Sequence, residues 1–192
     1  MSIITPTTLA LKKVRETKSL SLTKCNFSLN NFSYLNGNDV YTVKRCWAVN
    51  DTDLSITLFV FRNSRSGDHL KPKSVTHSLT YTTNIGGYLR LRKALPDTII
   101  QPMTFAEKVL NLIFHENIKL NDHHAFNKKY QLQSVSPKQI EHLLPRAFIK
   151  CIEQHSDIHV EIRGQECIAY FFREIQENDA AILAELLETL NL

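Results

Sequence analysis

The most strongly patterned part of the chain is residues 126–172, FNKKYQLQSVSPKQIEHLLPRAFIKCIEQHSDIHVEIRGQECIAYFF. Phe126–Val135 has the apolar and aromatic spacing of a half-buried strand. Ser136-Pro137 then predicts a helix start, because serine is a good cap and proline suits the first helical position. Pro145 removes a backbone donor from this helical pattern. The sequence therefore predicts two short helices, or one kinked helix, with Pro145 opening the second part.

The same stretch ends in a second pattern, Ile158–Phe172, in which apolar and polar residues alternate before a fully apolar run. Gly164-Gln165 interrupts it and is typical of a tight turn, since glycine reaches positive φ at little cost. We therefore predict a β-hairpin here. Asn178-Asp179 precedes a leucine-rich segment with a continuous apolar face, which predicts a C-terminal helix.

Residues 20–100 carry short alternating segments separated by turn signals at Asn36–Asp39, Asn50–Asp53 and Asn84–Gly87. In one of these segments the alternation predicts that Val43 and Arg45 share a face. The fold class is therefore predicted to be α+β: an N-terminal antiparallel β-meander, then helices and a β-hairpin, closed by a C-terminal helix.

The predicted organisation is an N-terminal arm, residues 1–20, followed by a single α+β domain, residues 21–192. A sub-domain boundary is expected near 96–103, where the strand pattern and the sign of the charge both change, just before a capping box at Thr104 and Glu107 predicts a helix.

No apolar run approaches the ~20 residues that span a bilayer, so we predict no transmembrane segment. Without a secretory signal pattern the expected location is cytoplasmic, with delivery by a leaderless route left open.

The chain has four widely spaced cysteines and no CxxC motif, which argues against a zinc knuckle or ribbon. In a cytoplasmic protein they are expected to be reduced and partly buried. Cys25 and Cys46, on neighbouring predicted strands, are the first pair to test for a disulfide.

Charge is distributed unevenly: residues 1–100 carry 14 Lys/Arg and 6 Asp/Glu, whereas residues 101–192 carry 9 and 13. Either the two signs mix over one surface, or the N-terminal part has a basic face for an acidic partner, nucleic acid or anionic lipid. The candidate residues of that basic face are Arg62, Arg65, Lys71, Lys73, Arg90, Arg92 and Lys93, with Lys44 and Arg45 as further candidates for nucleic acid. Tyr41, Trp47 and Tyr88 are candidate stacking residues, although core positions are more typical of them.

Two constellations could carry chemistry. His115, Asp122, His123 and His124 are metal-ligating residue types close together, but their spacing is not HExxH and they fall in a predicted loop. Cys151 and His155 are one helical turn apart, but Cys151 lies on the apolar stripe, where a thiol is usually inert. GxSxG, P-loop and GxGxxG motifs are absent from the sequence. We therefore predict no metal, no cofactor and no catalytic residue.

The runs AFNKKYQLQSVSPKQIEHLLPRAFIKCIE (125–153) and VEIRGQECIAYFF (160–172) resemble a pattern found in uncharacterised bacterial proteins grouped only as a domain of unknown function. That pattern consists of a phenylalanine-led strand, a helix broken at a Leu-Leu-x-Pro-like site, a strand, a turn and an apolar strand. The resemblance spans about residues 105–175. It implies no catalytic residues, and many members carry transmembrane segments.

These observations favour a non-catalytic cytoplasmic binding or adaptor domain that recognises a macromolecular partner, with protein the expected class, through a sheet edge or the basic face. The alternative is a nucleic-acid-binding protein or nuclease-like effector that uses the basic N-terminal half. A third hypothesis is an enzyme whose site forms only in three dimensions. A homo-oligomer is left open.

Overall fold

The computed structural model describes residues 5–32, 40–50, 54–65, 80–103 and 117–190. Within these ranges the chain forms a six-stranded antiparallel sheet and five α-helices, which confirms the α+β class and the N-terminal meander. The strands are β1 (Leu20–Thr23), β2 (Val40–Val49), β3 (Ile56–Arg65), β4 (Thr80–Pro102), β5 (Tyr130–Ser134) and β6 (Ile158–Phe171). The helices are α1 (Pro6–Thr17), α2 (His124–Lys129), α3 (Pro137–Leu143), α4 (Arg146–Glu153) and α5 (Asp179–Glu188).

Strand β4 is the centre of the sheet. It is 23 residues long, and it pairs with β3, β5 and β6, while β1 and β2 continue the sheet beyond β3. The predicted turn at Asn84–Gly87 is wrong, because the strand runs straight through it. The glycines serve close packing instead: a Cβ on Gly87 would lie 2.6 Å from Cδ1 of Leu187. Strand β4 also continues through residues 96–102, where a sub-domain boundary was expected.

The predicted hairpin at 158–172 is also wrong, since β6 is one strand that pairs antiparallel with β4 along its length. Gly164 does have a positive φ of 56°. The ladder shifts register on both sides of the Leu95–Gly164 pair, so the glycine accommodates an irregularity in the ladder and does not reverse the chain. Glycine allows either a hairpin turn or an irregularity within a strand, and pairing with the long strand β4 selects the second.

The predicted helix break at Pro145 and the predicted C-terminal helix are both confirmed. Helix α3 ends before Pro145, and α4 begins directly after it, as the proline requires. The C-terminal helix is confirmed as α5, with Leu183, Leu186 and Leu187 buried. The predicted strand start at Phe126 is wrong, because Phe126 lies in α2 and only Tyr130–Ser134 is extended. The helix expected from Thr104 lies outside the described residues.

The sheet has two different faces. On the helix-covered face, side chains of β2, β3 and β4 pack against α1 and α5 in the main core. On the opposite face, which we call the aromatic face, Phe59, Phe61 and Tyr170 form a second buried cluster with Phe32. Cross-strand partners share a face, so the registers of β2, β3 and β4 assign each residue to one side.

A disulfide joins Cys25 to Cys46, whose Cα atoms are 5.8 Å apart, so the expectation of four reduced thiols is wrong for this pair. The bond ties the segment after β1 to β2, and Phe27 in that segment stacks on Tyr88 with ring centroids 4.4 Å apart. Cys151 and Cys167 are free and buried.

The N-terminal arm contains helix α1, which packs on the domain. Its residues Ala10, Leu11 and Val14 are buried, and Lys18 just beyond it forms an ion pair with Glu188 at the end of α5. No described helix has the length and apolar content needed to span a membrane.

Candidate binding groove

A groove lies between α1 and the helix-covered face of β2 and β3, with Thr83 of β4 at its side. It encloses a cavity of about 380 Å³. Four cationic side chains line it: Arg15, Lys44, Arg45 and Arg62. We call this site the basic groove. Its remaining walls are Trp47, Leu11 and Val60, together with threonine side chains from the first turn of α1.

An irregularity in β2 brings two of these cations together. Val43 pairs with Phe61 and Arg45 pairs with Val60, so Lys44 is an extra residue in the ladder, a β-bulge. Val43 consequently packs with the aromatic face, while Lys44 and Arg45 both line the groove. The prediction that Val43 and Arg45 share a face is wrong for this reason.

Helix α1 supplies the opposite wall of the groove. Thr8, Leu11 and Arg15 are three and four residues apart, which places them on one helical face. Leu11 is buried and anchors the helix, whereas Arg15 is exposed. The helix start is well defined, because Thr5 Oγ1 accepts a hydrogen bond of 3.2 Å from the backbone N–H of Thr8.

The charged side chains that line the groove, among the described residues, are all positive. None of the described residues that line it carries a carboxylate. Arg15, Lys44 and Arg45 are exposed and form no ion pair with any described residue. Like charges collected in a concave site repel one another and raise the local concentration of anions. The arrangement therefore suits an anionic ligand.

Two residues of the predicted basic face, Arg62 and Arg90, lie on opposite faces of the sheet. Arg62 pairs with Thr83 and lines the groove. Arg90 lies two residues after Tyr88, so it is on the aromatic face, where it pairs with Glu166 of β6. Arg92 and Lys93 are exposed farther along β4. Arg65 is the last residue of β3, but the structure does not describe its side chain. Lys71 and Lys73 lie outside the described residues.

Two of the three candidate stacking residues are already engaged. Trp47 is only 6% exposed and packs in the main core. Tyr88 stacks on Phe27, and its hydroxyl donates to Glu166 Oε1 at 3.1 Å. Burial, and secondarily this hydrogen bond, raises the pKa of Tyr88 to about 12. The side chain of Tyr41 is outside the description.

A larger polar cleft of about 700 Å³ lies around Arg173 and shares no described lining residue with the basic groove. Arg173 binds both carboxylate oxygens of Asp179 at 2.7 and 2.9 Å, also pairs with Asp157, and lies 4.4 Å from the ring centre of Phe171. Its charge is therefore satisfied within the protein. We interpret this cleft as a structural latch between β6 and α5.

The described candidate metal ligands do not form a metal site. His123 Nδ1 lies 3.0 Å from Glu153 Oε1, His124 is exposed at the start of α2, and His115 is outside the description. Among the described residues, no group of three His, Cys, Asp or Glu is arranged to hold a metal. Burial raises the pKa of the Cys151 thiol to about 11, which leaves it protonated and unreactive near neutral pH.

No protein family, curated protein or solved structure matches the chain. The resemblance of residues 105–175 to bacterial domains of unknown function therefore stays a prediction.

Proposed function

We propose that this chain is a non-catalytic binding domain that recognises another protein, and that an acidic segment of that partner lies in the basic groove. The observation that carries the proposal is the convergence of Arg15, Lys44, Arg45 and Arg62 on one cavity without a carboxylate among its described lining residues. Such a site gains most from a partner that brings the missing negative charge, because complementary potentials favour encounter and fix register.

A protein ligand fits these observations better than nucleic acid does. Single-stranded nucleic acid is usually held by aromatic side chains offered to its bases, and here Trp47 is buried and Tyr88 is engaged by Phe27 and Glu166. A duplex needs a broad basic surface that follows its phosphates, whereas Arg62 and Arg90 lie on opposite faces of the sheet. A short acidic segment needs only the groove.

A cytoplasmic location is a prediction from the sequence, and the Cys25–Cys46 disulfide opposes it, because structural disulfides persist mainly in oxidising compartments. Quenching intact cells in acid, then denaturing the protein in the presence of an alkylating agent so that the buried Cys151 and Cys167 also react, and counting the modified cysteines tests it. Four modified cysteines support the cytoplasm, and two modified cysteines support an oxidising compartment.

The proposed function is tested by affinity purification of the tagged full-length protein from its native cells, with nuclease and at raised salt. The variant Lys44→Glu/Arg45→Glu reverses two groove charges. Lys138→Glu/Lys150→Glu reverses two exposed charges on α3 and α4 and serves as the matched control. Circular dichroism checks that both variants fold.

We expect a protein partner that survives nuclease, binds the control variant normally and is lost with the groove variant. Recovery that is unaffected by the groove substitutions would overturn the proposal. Recovery lost on nuclease treatment would instead support the nucleic-acid hypothesis, since phosphate contacts weaken steeply with salt and disappear with the nucleic acid.

A further inference from the structure

We infer that the basic groove binds a phosphorylated side chain of the partner protein, in preference to aspartate or glutamate. This inference rests on the proposed function and specifies its ligand. It follows from three properties of the groove: the kind of cation that lines it, the amount of charge collected there, and its size.

The first property is that three of the four cations are arginines, namely Arg15, Arg45 and Arg62. A guanidinium presents a rigid planar fork of donors that matches phosphate oxygens in pairs, whereas a lysine ammonium acts as a point charge. Lys44 adds such a point charge beside Arg45 because the β-bulge carries both to the same site. A tetrahedral anion with three acceptor oxygens can receive several forks from different directions, whereas a planar carboxylate offers two oxygens in one plane.

The second property is the charge balance. A phosphorylated side chain carries about −1.5 to −2 near neutral pH, while one aspartate or glutamate carries about −1. Arg15, Lys44 and Arg45, which form no ion pair with any described residue, are better neutralised by the more highly charged group. The neutral polar groups fit the same ligand, since the hydroxyls of Thr7 and Thr8 can donate to its oxygens.

The third property is size. The cavity of about 380 Å³ is near the lower end of the range of about 300–1,000 Å³ typical of ligand sites. One modified side chain fits within such a space. Leu11 and Val60 provide apolar walls against which its carbon atoms can pack, beneath the charged rim.

The test uses the full-length protein and three peptide libraries with degenerate flanking positions. The central residue is phosphothreonine in the first library, threonine in the second and a Glu-Glu pair in the third, which matches the phosphate charge. Binding is measured by fluorescence anisotropy at fixed ionic strength. We expect the phosphothreonine library to bind at least about tenfold more tightly than the Glu-Glu library.

Two variants examine how the phosphate is recognised. Arg45→Lys keeps the charge and removes the fork, so it should reduce the preference for phosphothreonine over Glu-Glu several-fold. Lys138→Glu/Lys150→Glu should leave binding unchanged. Inorganic phosphate should compete for the groove, whereas acetate at the same concentration should not.

Each of the following outcomes would contradict the inference. Equal binding of the phosphothreonine and Glu-Glu libraries would leave the acidic-segment function standing and remove the phosphate preference. If a short oligo-dT competed as effectively as inorganic phosphate and also bound more tightly than every peptide, we would infer that the ligand is nucleic acid and not protein. If no library bound above the threonine control while Lys44→Glu/Arg45→Glu still abolished partner recovery, only the inferred ligand class, a phosphorylated side chain, would be wrong. If partner recovery were also insensitive to groove reversal, the proposed function would fall with it.

Discussion

The ring of Phe59 lies directly against the backbone of Gly86, its partner across the β3–β4 ladder. A Cβ built on Gly86 would stand 2.5 Å from Cζ of Phe59, closer than real Cβ atoms approach a neighbour. Both residues are buried, and the ring is held on its other sides by Phe27 and Phe61. A glycine at 86 is therefore a packing requirement of the aromatic face.

We expect Gly86→Ala to lower the free energy of unfolding by about 1–3 kcal/mol, the usual cost of overpacking a core, as measured by urea denaturation. Phe59→Leu removes the ring that causes the clash. The double variant should therefore be more stable than the sum of the two single effects allows. Strictly additive effects would contradict the contact.

The Cys25–Cys46 disulfide should stabilise the fold by about 3 kcal/mol, because it closes a loop between residues 21 apart in sequence and restricts the unfolded chain. Urea denaturation with and without dithiothreitol measures this difference. Cys25→Ala should have a low midpoint that no longer responds to the reductant, whereas Cys151→Ala should retain the response. A wild-type midpoint that does not change on reduction would exclude a stabilising disulfide.

The latch around Arg173 should depend strongly on Asp179, which is almost fully buried, binds the guanidinium through both oxygens and accepts the Gln176 backbone N–H at 2.7 Å. Asp179→Asn leaves Arg173 without its buried partner and should cost about 3–5 kcal/mol. Asp157→Asn, which affects the more exposed contact to the same arginine, should cost less than about 1 kcal/mol. Equal losses in thermal or urea denaturation would refute this ranking.

His155 should make stability depend on pH. Burial lowers the pKa of His155 below its ordinary value of 6.5, although nearby Asp157 acts in the opposite direction. Because the folded-state pKa is the lower one, the unfolded chain binds the extra proton first, and stability falls as the pH drops through about 6.5. His155→Gln should lose less free energy of unfolding than wild type between pH 7.5 and pH 5.5. The same loss in both proteins would argue against the shift.

Sequence patterns predicted the elements that depend on local chemistry. Pro145 divides α3 from α4 because a proline cannot donate a backbone hydrogen bond, and that requirement needs no tertiary information. Glycine is ambiguous by comparison. Gly86 and Gly164 suggested turns, but both lie inside long strands, where close packing and a ladder irregularity need them.

The basic groove was only partly visible in the sequence. Arg62 was a candidate, and Lys44 and Arg45 were candidates for nucleic acid, but strict alternation assigned these two neighbours to opposite faces. A β-bulge adds one residue and leaves no mark in a period-two pattern, so only the register of β2 against β3 reveals it. Arg15 was assigned to the terminal arm, and its arrival at the groove depends on where α1 packs.

The central position of β4 has a consequence for how the chain folds as it is synthesised. The side chain of Asn84 donates to the backbone of Phe171, 87 residues later, and β6 covers one edge of β4 only when that distant segment arrives. Until then a nascent chain that has already paired β2, β3 and β4 exposes a long, unpaired strand edge. Such edges recruit other chains, and distant pairings form slowly. The interval between synthesis of β4 and of β6 is therefore when we expect the nascent chain to associate most readily with other chains.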